Sequence, residues 1–467
     1  MSKTIDIKAF FSELFNEEKA EIFSKQLHYY NIQTAEQLYG VLNPILPQFS
    51  SKELKAKGLS ASYTTLSKKR NTLDKQVLKV KKVLKIKTSE SKIIVEALNK
   101  HNFPLLNFKP NKSVYSLGLK ESSFKMRTSF WSSANFKERG LSYIIPDYDR
   151  IGTVYDQGTR GTCVANTYCA LFNYTTGEET SRQFLYHQCK MTDGIKNEPG
   201  TYMHIPVMLI TEKSIIDFGV VNEREWPYNR FEEKTEHQGT PPENCFNTLR
   251  FYSEKPIKTR KENIVEDIKN LLRGSNIHRP IPVAIGLKIF ESFNNIQSAS
   301  TGWITMPLPG ERAVGGHAML IVGYFDEPKL FLVRNSWGTG WAPENPYGYP
   351  GHALIPYQYI ERYSDGGWSF LSIDGIKLNI SEPERLYNNN FYFNNSSFAA
   401  ALKITKGKTK NYSRRNKISN RNKYKKHMLR NVRLKYFLYG IIVTLLIIYH
   451  KEIADFIENI MHWLKKH

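Results

Sequence analysis

The chain has 467 residues, which is enough for two to four domains of ordinary size. Hydrophobic residues make up 40% and charged residues 24%, a balance that excludes a largely disordered or collagen-like chain. The four cysteines are too few for a scaffold built on disulfides, and no two have the C-x-x-C spacing of a structural zinc site. We therefore expect a folded multidomain protein, and the sequence implies no metal and no organic cofactor.

The formal net charge of +22 is concentrated in two stretches of the chain. Residues 66–87 hold nine Lys or Arg and one Asp, and residues 402–435 hold fourteen Lys or Arg and no acidic residue. Two local basic stretches beside a nearly neutral body indicate docking surfaces, whereas a protein that is basic throughout would favour nucleic acid as its main partner.

The composition divides the chain into six segments. Apolar residues recur at helical spacing in the first segment, whereas short apolar runs between dense Gly and Pro in the third predict an α+β domain, with helices at 163–174 and 202–218. The predicted segments are a helical interaction or regulatory domain (1–100), a linker (101–140), the α+β domain (141–378), an Asn-rich and then basic linker (379–433), a transmembrane helix (434–450) and an amphipathic tail (451–467).

Residues 436–449 form an uncharged, mostly apolar run of fourteen residues, YFLYGIIVTLLIIY. A spanning helix usually needs about 20 residues, so a core or interfacial helix is the alternative. Flanking tyrosines and the preceding basic stretch favour the membrane, and we expect residues 402–435 to contact anionic lipid rather than nucleic acid. Fourteen basic residues before the run against three after it predict a cytoplasmic location for residues 1–435, and the N-terminus lacks the pattern of a secretory signal.

Three polar residues in the α+β domain have the types needed for nucleophilic catalysis. Cys163 begins a helical pattern, and a helix N-terminus favours the reactive thiolate. His317 lies in a strand-like run, GGHAML, and Asn335 follows the predicted strand LFLVR. Together they supply a nucleophile, a base and a group that orients the base. A single cysteine of this kind is more often inert, so the prediction depends on all three.

The spacing and neighbours of these residues resemble the papain family of cysteine peptidases over about half of the chain. The resemblance rests on four separate segments in the family's order: Asp156-Gln157-Gly158 leading to Cys163, GVVNEREWPY from Gly219, GGHAMLIVGY around His317, and NSWGTGW from Asn335. It implies a fold of two lobes, one helical and one like a β-barrel, with the substrate cleft between them.

The resemblance also implies a role for each matching residue. Cys163 would be the nucleophile and His317 its partner, with the pKa of the thiol lowered to roughly 3 to 4. Asn335 would orient His317, and Gln157 would form an oxyanion hole with the backbone N–H of Cys163. Trp337 would cover the bond between His317 and Asn335, and the candidate substrate-binding residues are Gly200, Gly316 and Trp337.

The sequence departs from the family pattern at several positions. Arg160 stands where secreted members usually have a cysteine, and Val164 replaces an aromatic residue. The first departure removes a usual disulfide and, together with the missing secretory signal, suggests a reducing compartment. The remaining cysteines are interpreted as buried thiols. The first 125 residues lack the spaced pattern of the usual inhibitory pro-segment, so control by removal of such a segment is not expected. The N-terminal domain would inhibit in another way or recruit a target.

The sequence therefore predicts a membrane-anchored, cytosol-facing endopeptidase that acts on peptide or protein substrates. A catalytically silent papain fold that binds peptides or acts as an adaptor is the alternative from a different class. An isopeptidase or aminopeptidase would use the same thiolate, imidazole and oxyanion hole.

Overall fold

The computed structural model divides into two compact units, Met1–Asn394 and Asn395–His467. None of the described helices is long and apolar enough to cross a membrane. The predictions for 379–433, 434–450 and 451–467 lie outside the described residues. The structure describes residues 4–43, 73–101, 103, 117–120, 129–130, 142–193, 199–211, 220–229, 240–246, 249–253, 256–276, 278–370 and 374–377.

The described part of the first 100 residues is helical, as the spacing of its apolar residues predicts. Asp6 and Asn16 accept backbone N–H groups at the starts of the first two helices, and Thr34 forms a capping box with Gln37 at the third. The apolar faces of these helices meet in a core of their own. The helices are α1 (Ile7–Ser12), α2 (Glu17–His28), α3 (Ala35–Leu42), α4 (Leu73–Leu84) and α5 (Thr88–Lys100).

The helices of the α+β domain cluster mainly before the long strands. The first of them, α6, is buried over nearly its whole length and ends at Gly177, whose φ of 79° is left-handed. The predicted helix at 163–174 is therefore confirmed, and the one at 202–218 is described only as far as Thr211. The helices are α6 (Cys163–Thr176), α7 (Arg182–Thr192), α8 (His204–Thr211), α9 (Ile264–Arg273), α10 (Ile296–Thr301) and α11 (Tyr357–Tyr363).

The described strands, also numbered in chain order, form a mainly antiparallel ten-stranded sheet and a separate pair, β5 with β12. Most of the large sheet follows the order β10-β9-β8-β7-β11-β6-β2; in addition, β1 and β3 pair with β8, and β4 pairs with β1. The strands are β1 (Leu119–Lys120), β2 (Ser129–Phe130), β3 (Ser142–Ile144), β4 (Thr201–Tyr202), β5 (Leu249–Tyr252), β6 (Pro256–Lys258), β7 (Val283–Phe290), β8 (Ala313–Phe325), β9 (Leu330–Arg334), β10 (His352–Pro356), β11 (Ser364–Phe370) and β12 (Asp374–Lys377).

The three apolar runs predicted as strands become β7, β8 and β9, at the centre of the large sheet. Nearly every side chain of β8 and β9 is buried, because helices and neighbouring strands cover both faces. Helix α6 packs against β8 and β7, which brings the start of the helix to the sheet. The α+β architecture with a helical lobe and a curled sheet is the one that the sequence predicts.

Part of the segment predicted as a linker, 101–140, is instead built into the sheet. Strand β1 pairs in parallel with β4 and antiparallel with β8, and β2 pairs in parallel with β6. Two-residue strands have too little periodicity to be recognised in a sequence, because only their distant partners stabilise them.

The N-terminal helices pack against the loop that leads into β8. The side chain of Asn31 donates to the Ile304 carbonyl over 2.7 Å, and the indole N–H of Trp303 donates to the Asn31 carbonyl over 2.9 Å. The Met306 N–H donates to the Tyr30 carbonyl over 2.9 Å, and Leu308 is buried within the N-terminal core. The helical domain is therefore joined to the α+β domain by shared core and hydrogen bonds.

Candidate active site

Cys163 is the first residue of the buried helix α6, and its side chain is fully buried. Its thiol lies against the first backbone N–H groups of the helix, those of Cys163 and Val164, which have no partner within the helix. The backbone N–H groups of Ala318 and Gly118 also reach the thiol. Because Ala318 follows His317 in β8, the thiol of the helical lobe lies against the part of the strand that carries the histidine.

The ring of His317 is held by the side chain of Asn335. His317 Nε2 lies 2.8 Å from Asn335 Oδ1, which also accepts the Ser336 backbone N–H over 2.8 Å. The acceptor atom is therefore oxygen, so Nε2 must carry the hydrogen of the neutral ring. The other nitrogen, Nδ1, then presents a lone pair and has no hydrogen-bond partner among the described residues. The arrangement leaves one basic nitrogen available for a proton.

Trp337 covers one face of the histidine ring. The two rings are stacked, with centroids 4.7 Å apart and planes inclined by 26°. The indole is only 4% exposed and meets Phe293 and Trp341 edge to face. It shields the bond between His317 and Asn335 from water, which strengthens that bond.

Gln157 is fixed in orientation by groups from both lobes. Its Nε2 donates to the Arg160 carbonyl over 2.8 Å, and its Oε1 accepts from the Ser336 hydroxyl over 2.5 Å. Its backbone N–H donates to the Ser336 carbonyl, and Asp156 pairs with Trp337 in an isolated β-bridge. The structure therefore brings together Cys163, His317, Asn335 and Gln157 across the junction of the two lobes.

Strand β1 lies directly over this site. The backbone N–H of Gly118, the residue before β1, lies near the Cys163 sulfur, and the Gly118 carbonyl accepts the Thr201 N–H over 2.9 Å. A Cβ on Gly118 would lie 2.0 Å from the Gly161 carbonyl oxygen, so only glycine fits at this approach. Leu119 pairs with Gly316 and is buried. The chain's own backbone therefore occupies the cleft, although its sequence lacks the pattern of the usual inhibitory pro-segment.

The peptide group of β1 at the cysteine is not presented for attack. In a trans peptide the C=O points away from the N–H. Because the N–H of Gly118 faces the sulfur, the carbonyl oxygen of the same peptide group points away from it. The Gly118 carbonyl of the next peptide group is bound to β4. The segment therefore covers the thiol, and neither of these two carbonyl groups is directed at it.

The burial imposed on the site keeps both reactive groups neutral. Burial raises the pKa of Cys163 to about 11, an effect that backbone hydrogen bonds from Ala318 and Gly118 partly offset. Burial lowers the pKa of His317 to about 4, partly offset by its bond to Asn335. With β1 in place, the pair is a thiol and a neutral imidazole at pH 7, whereas the resemblance implies a thiolate. The lowered thiol pKa therefore does not hold in this conformation.

The three candidate substrate-binding residues have different surroundings. Gly316 lies opposite Leu119 of β1, at the cleft. Gly200 has both backbone groups occupied, since its N–H donates to the Tyr186 hydroxyl over 3.0 Å and its carbonyl accepts from Lys190 Nζ over 2.8 Å. The backbone pairing expected at Gly200 falls on Thr201 instead. Trp337, the third candidate, packs on His317.

Two residues at the site, Ser336 and Gly118, were not predicted from the sequence. Ser336 joins Asn335 to Gln157 through its backbone and its hydroxyl. The sequence shows that Ser336 follows Asn335, but it does not show that the Ser336 hydroxyl bonds Gln157. Gly118 carried no signal, because only the approach to Gly161 explains why a glycine is needed there. All four cysteines are buried, and none is part of a disulfide.

Comparison with known proteins places this domain in a family. The family profile described as "Papain family cysteine protease" matches residues 149–349. An uncharacterized peptidase C1-like protein of Acanthamoeba polyphaga mimivirus is 26% identical over 302 residues, covering 60% of this chain and 90% of the viral protein. The matched region contains Cys163, His317 and Asn335. The matched α+β domain is therefore a papain-like cysteine peptidase domain, which is a hydrolase.

Two solved structures illustrate the similarity. Xylellain, a cysteine protease from Xylella fastidiosa, is 22% identical and covers 54% of this chain and 99% of its own, with a TM-score of 0.36. The digestive procathepsin L2 proteinase from Tenebrio molitor larval midgut is 18% identical and covers 55% of this chain and 78% of its own, with a TM-score of 0.40.

Proposed function

We propose that the chain is an endopeptidase in which Cys163 is the nucleophile and His317 the acid and base. The observation that carries the assignment is the bond between His317 Nε2 and Asn335 Oδ1, because it leaves Nδ1 as the basic atom of a ring beside the thiol. Gln157 and the Cys163 backbone N–H are proposed as the oxyanion donors.

The reaction begins when β1 leaves the cleft and a substrate peptide replaces it. Nδ1 of His317 takes the thiol proton, and the Cys163 sulfur attacks the scissile carbonyl carbon. The carbonyl oxygen gains the negative charge and accepts hydrogen bonds from Gln157 Nε2 and the Cys163 N–H. The C–N bond then breaks as His317 returns its proton to the leaving amine. Water attacks the thioester by the same route and releases the carboxylic acid and the thiol.

The path of β1 supports internal cleavage rather than trimming from an end. Residues 117–120 pass the cysteine as a continuous internal stretch, with Leu117 beside Gly315 and Lys120 paired with Tyr202. A cleft that accommodates an internal segment has room for substrate on both sides of the scissile bond. An aminopeptidase would instead need a group that blocks one side.

The experiment is to label the full-length protein with a peptide epoxide or vinyl sulfone and to locate the modified residue by mass spectrometry. We expect modification at Cys163, its loss in Cys163→Ala, and a strong decrease in His317→Ala. Exposed lysines and the other three cysteines serve as internal controls. Modification that persists in Cys163→Ala would refute the assignment. Because β1 covers the thiol, a silent peptide-binding fold is favoured only if neither the wild type nor Leu119→Asp, which should release β1, labels or hydrolyses peptides.

We also propose that the peptidase is anchored to a membrane and faces the cytosol. This proposal is supported by the sequence alone: fourteen basic residues in 402–435 directly precede the apolar run 436–449. Each basic residue near an anionic surface contributes about 1 kcal/mol, so a few of them suffice for binding.

Truncation after Asn395 should release the protein from vesicles that contain anionic lipid. The full-length protein is the matched control, and raising the salt concentration separates surface binding from insertion, because salt screens only the former. A truncated protein that still sediments with the vesicles would contradict the anchor. RNA added in place of vesicles tests the alternative partner.

A further inference from the structure

Arg160 has a buried side chain that the proposed chemistry does not use. It lies three residues before Cys163 and is only 1% exposed. Its Nη1 donates to Gln183 Oε1 over 2.6 Å and to the Asn229 carbonyl over 3.0 Å. The guanidinium carbon lies 4.9 Å from the ring centroid of Tyr228. Burying a charge is costly, so such a group is retained only where several bonds hold it.

The backbone of the same residue orients the proposed oxyanion donors. The Arg160 carbonyl accepts Gln157 Nε2 over 2.8 Å and the Thr162 N–H over 2.9 Å. Tyr228 completes the loop, because its hydroxyl donates to the Gln157 carbonyl over 3.0 Å and lies 2.6 Å from the Thr162 hydroxyl. The Arg160 side chain therefore holds the loop 157–162 against α7 and the segment 228–229, while the Arg160 carbonyl holds the side-chain amide of Gln157.

We propose that Arg160 is a positioning residue that places Gln157 Nε2 and the N-terminus of α6 for binding of the oxyanion. This inference rests on the proposed function of Cys163 and Gln157. An arginine suits the position because Nη1 bonds two acceptors while the flat face of the guanidinium contacts an aromatic ring; the ammonium of lysine can bond acceptors but has no planar face to stack. Arg160→Lys therefore keeps the charge and loses the geometry.

The inference predicts a loss in the chemical step and not in substrate binding. Removing an oxyanion donor costs about 100- to 1000-fold in rate, and displacing one by about 1 Å costs up to about 100-fold. We expect Arg160→Met to lower kcat at least about tenfold with KM within about twofold. A peptide aldehyde, whose adduct with the cysteine places an oxygen at the oxyanion site, should bind correspondingly less tightly.

The experiment compares full-length wild type, Arg160→Met and Arg160→Lys, with active sites titrated by the irreversible probe so that misfolded protein does not count. Arg279→Met is the matched control, because Arg279 binds the Thr175 carbonyl at the opposite end of α6. We expect both substitutions at Arg160, and not the control, to lower kcat per active site and aldehyde affinity. An unchanged kcat per active site in Arg160→Met would overturn the inference.

If Arg160→Met does not fold, Gln183→Ala provides the second test, because it removes one acceptor of the guanidinium on α7. It should lower kcat and aldehyde affinity in the same proportion, by a smaller factor. A KM increase with unchanged kcat in Gln183→Ala would overturn the inference. Failure of both the wild type and Leu119→Asp, in which β1 should be released, to label or hydrolyse would instead refute the proposed function, so the two failures are distinguishable.

Discussion

The protonation of individual buried side chains sets the pH range in which the described conformation is stable. Burial is the main cause that lowers the pKa of His317 to about 4 and that of His352 to about 3. Both rings are therefore neutral in the folded protein at pH 5, whereas in the unfolded chain they bind protons below about 6.5. As the pH falls from about 6.5 towards 4, the unfolded state gains protons that the folded state does not, so the free energy of unfolding decreases.

We expect the free energy of unfolding to fall between pH 7 and pH 5 by about 2 kcal/mol for each of these histidines. The unfolded ring is protonated over the roughly 1.5 pH units below 6.5, and each pH unit contributes about 1.36 kcal/mol. Chemical denaturation at the two pH values measures the change. His317→Gln should reduce it by about 2 kcal/mol, and the exposed His28→Gln is the control. An equal pH dependence in wild type and His317→Gln would show that the ring is not buried as described.

Single elements determine whether the site is accessible, and β1 is the decisive one. Its Leu119 side chain lies over Gly286 and beside Met203, so that a Cβ on Gly286 would come within 2.9 Å of Leu119 Cδ2. The main-chain pairs of β1 with β4 and β8 are few, because the strand has only two residues. Burial of the Leu119 side chain must therefore contribute much of the free energy that keeps β1 in the cleft.

Leu119→Asp should release β1, because a carboxylate is strongly disfavoured in an apolar pocket. We expect the rate at which iodoacetamide modifies Cys163 at pH 7 to rise at least about tenfold, measured by mass spectrometry. Leu119→Met conserves volume and polarity and should leave the rate nearly unchanged. If both variants react at the wild-type rate, β1 does not control access to the thiol.

At the scale of the first compact unit, the helical N-terminal domain and the peptidase domain share buried surface. Leu308 comes from the peptidase domain and is 3% exposed within the core of α1 to α5. Asn31, Trp303 and Ile304 add two hydrogen bonds across the same contact. The contact adjoins the loop that leads into β8, the strand of His317, so the two domains are expected to unfold together.

Leu308→Ala should lower the free energy of unfolding by about 2 to 4 kcal/mol, since it leaves a cavity in the N-terminal core. Leu78→Ala, at a side chain that is 49% exposed, is the matched control and should change it by less than about 0.5 kcal/mol. Chemical denaturation followed by fluorescence measures both. Equal effects of the two substitutions would show that the domains do not share a core at Leu308.

The sequence by itself determined the features that depend on residues close together in the chain, namely helices, strands and contiguous motifs. Apolar periodicity predicted helices in the first 100 residues, and short apolar runs predicted β7, β8 and β9. The residues around Cys163, His317 and Asn335 indicated the family because each motif is contiguous, and the family profile agrees. The anchoring of the C-terminal residues stays a prediction.

Only the tertiary structure decided how distant segments meet. The position of β1 on Cys163, the bonds of Ser336 and Arg160 to Gln157, and the attachment of the N-terminal domain at Leu308 all join residues far apart in sequence. For the same reason the pKa of Cys163, which the resemblance implied to be lowered, is raised by burial in the folded chain. A motif specifies which groups are present, but burial depends on what covers them, and here the cover is a glycine and a leucine in a segment with no periodic pattern.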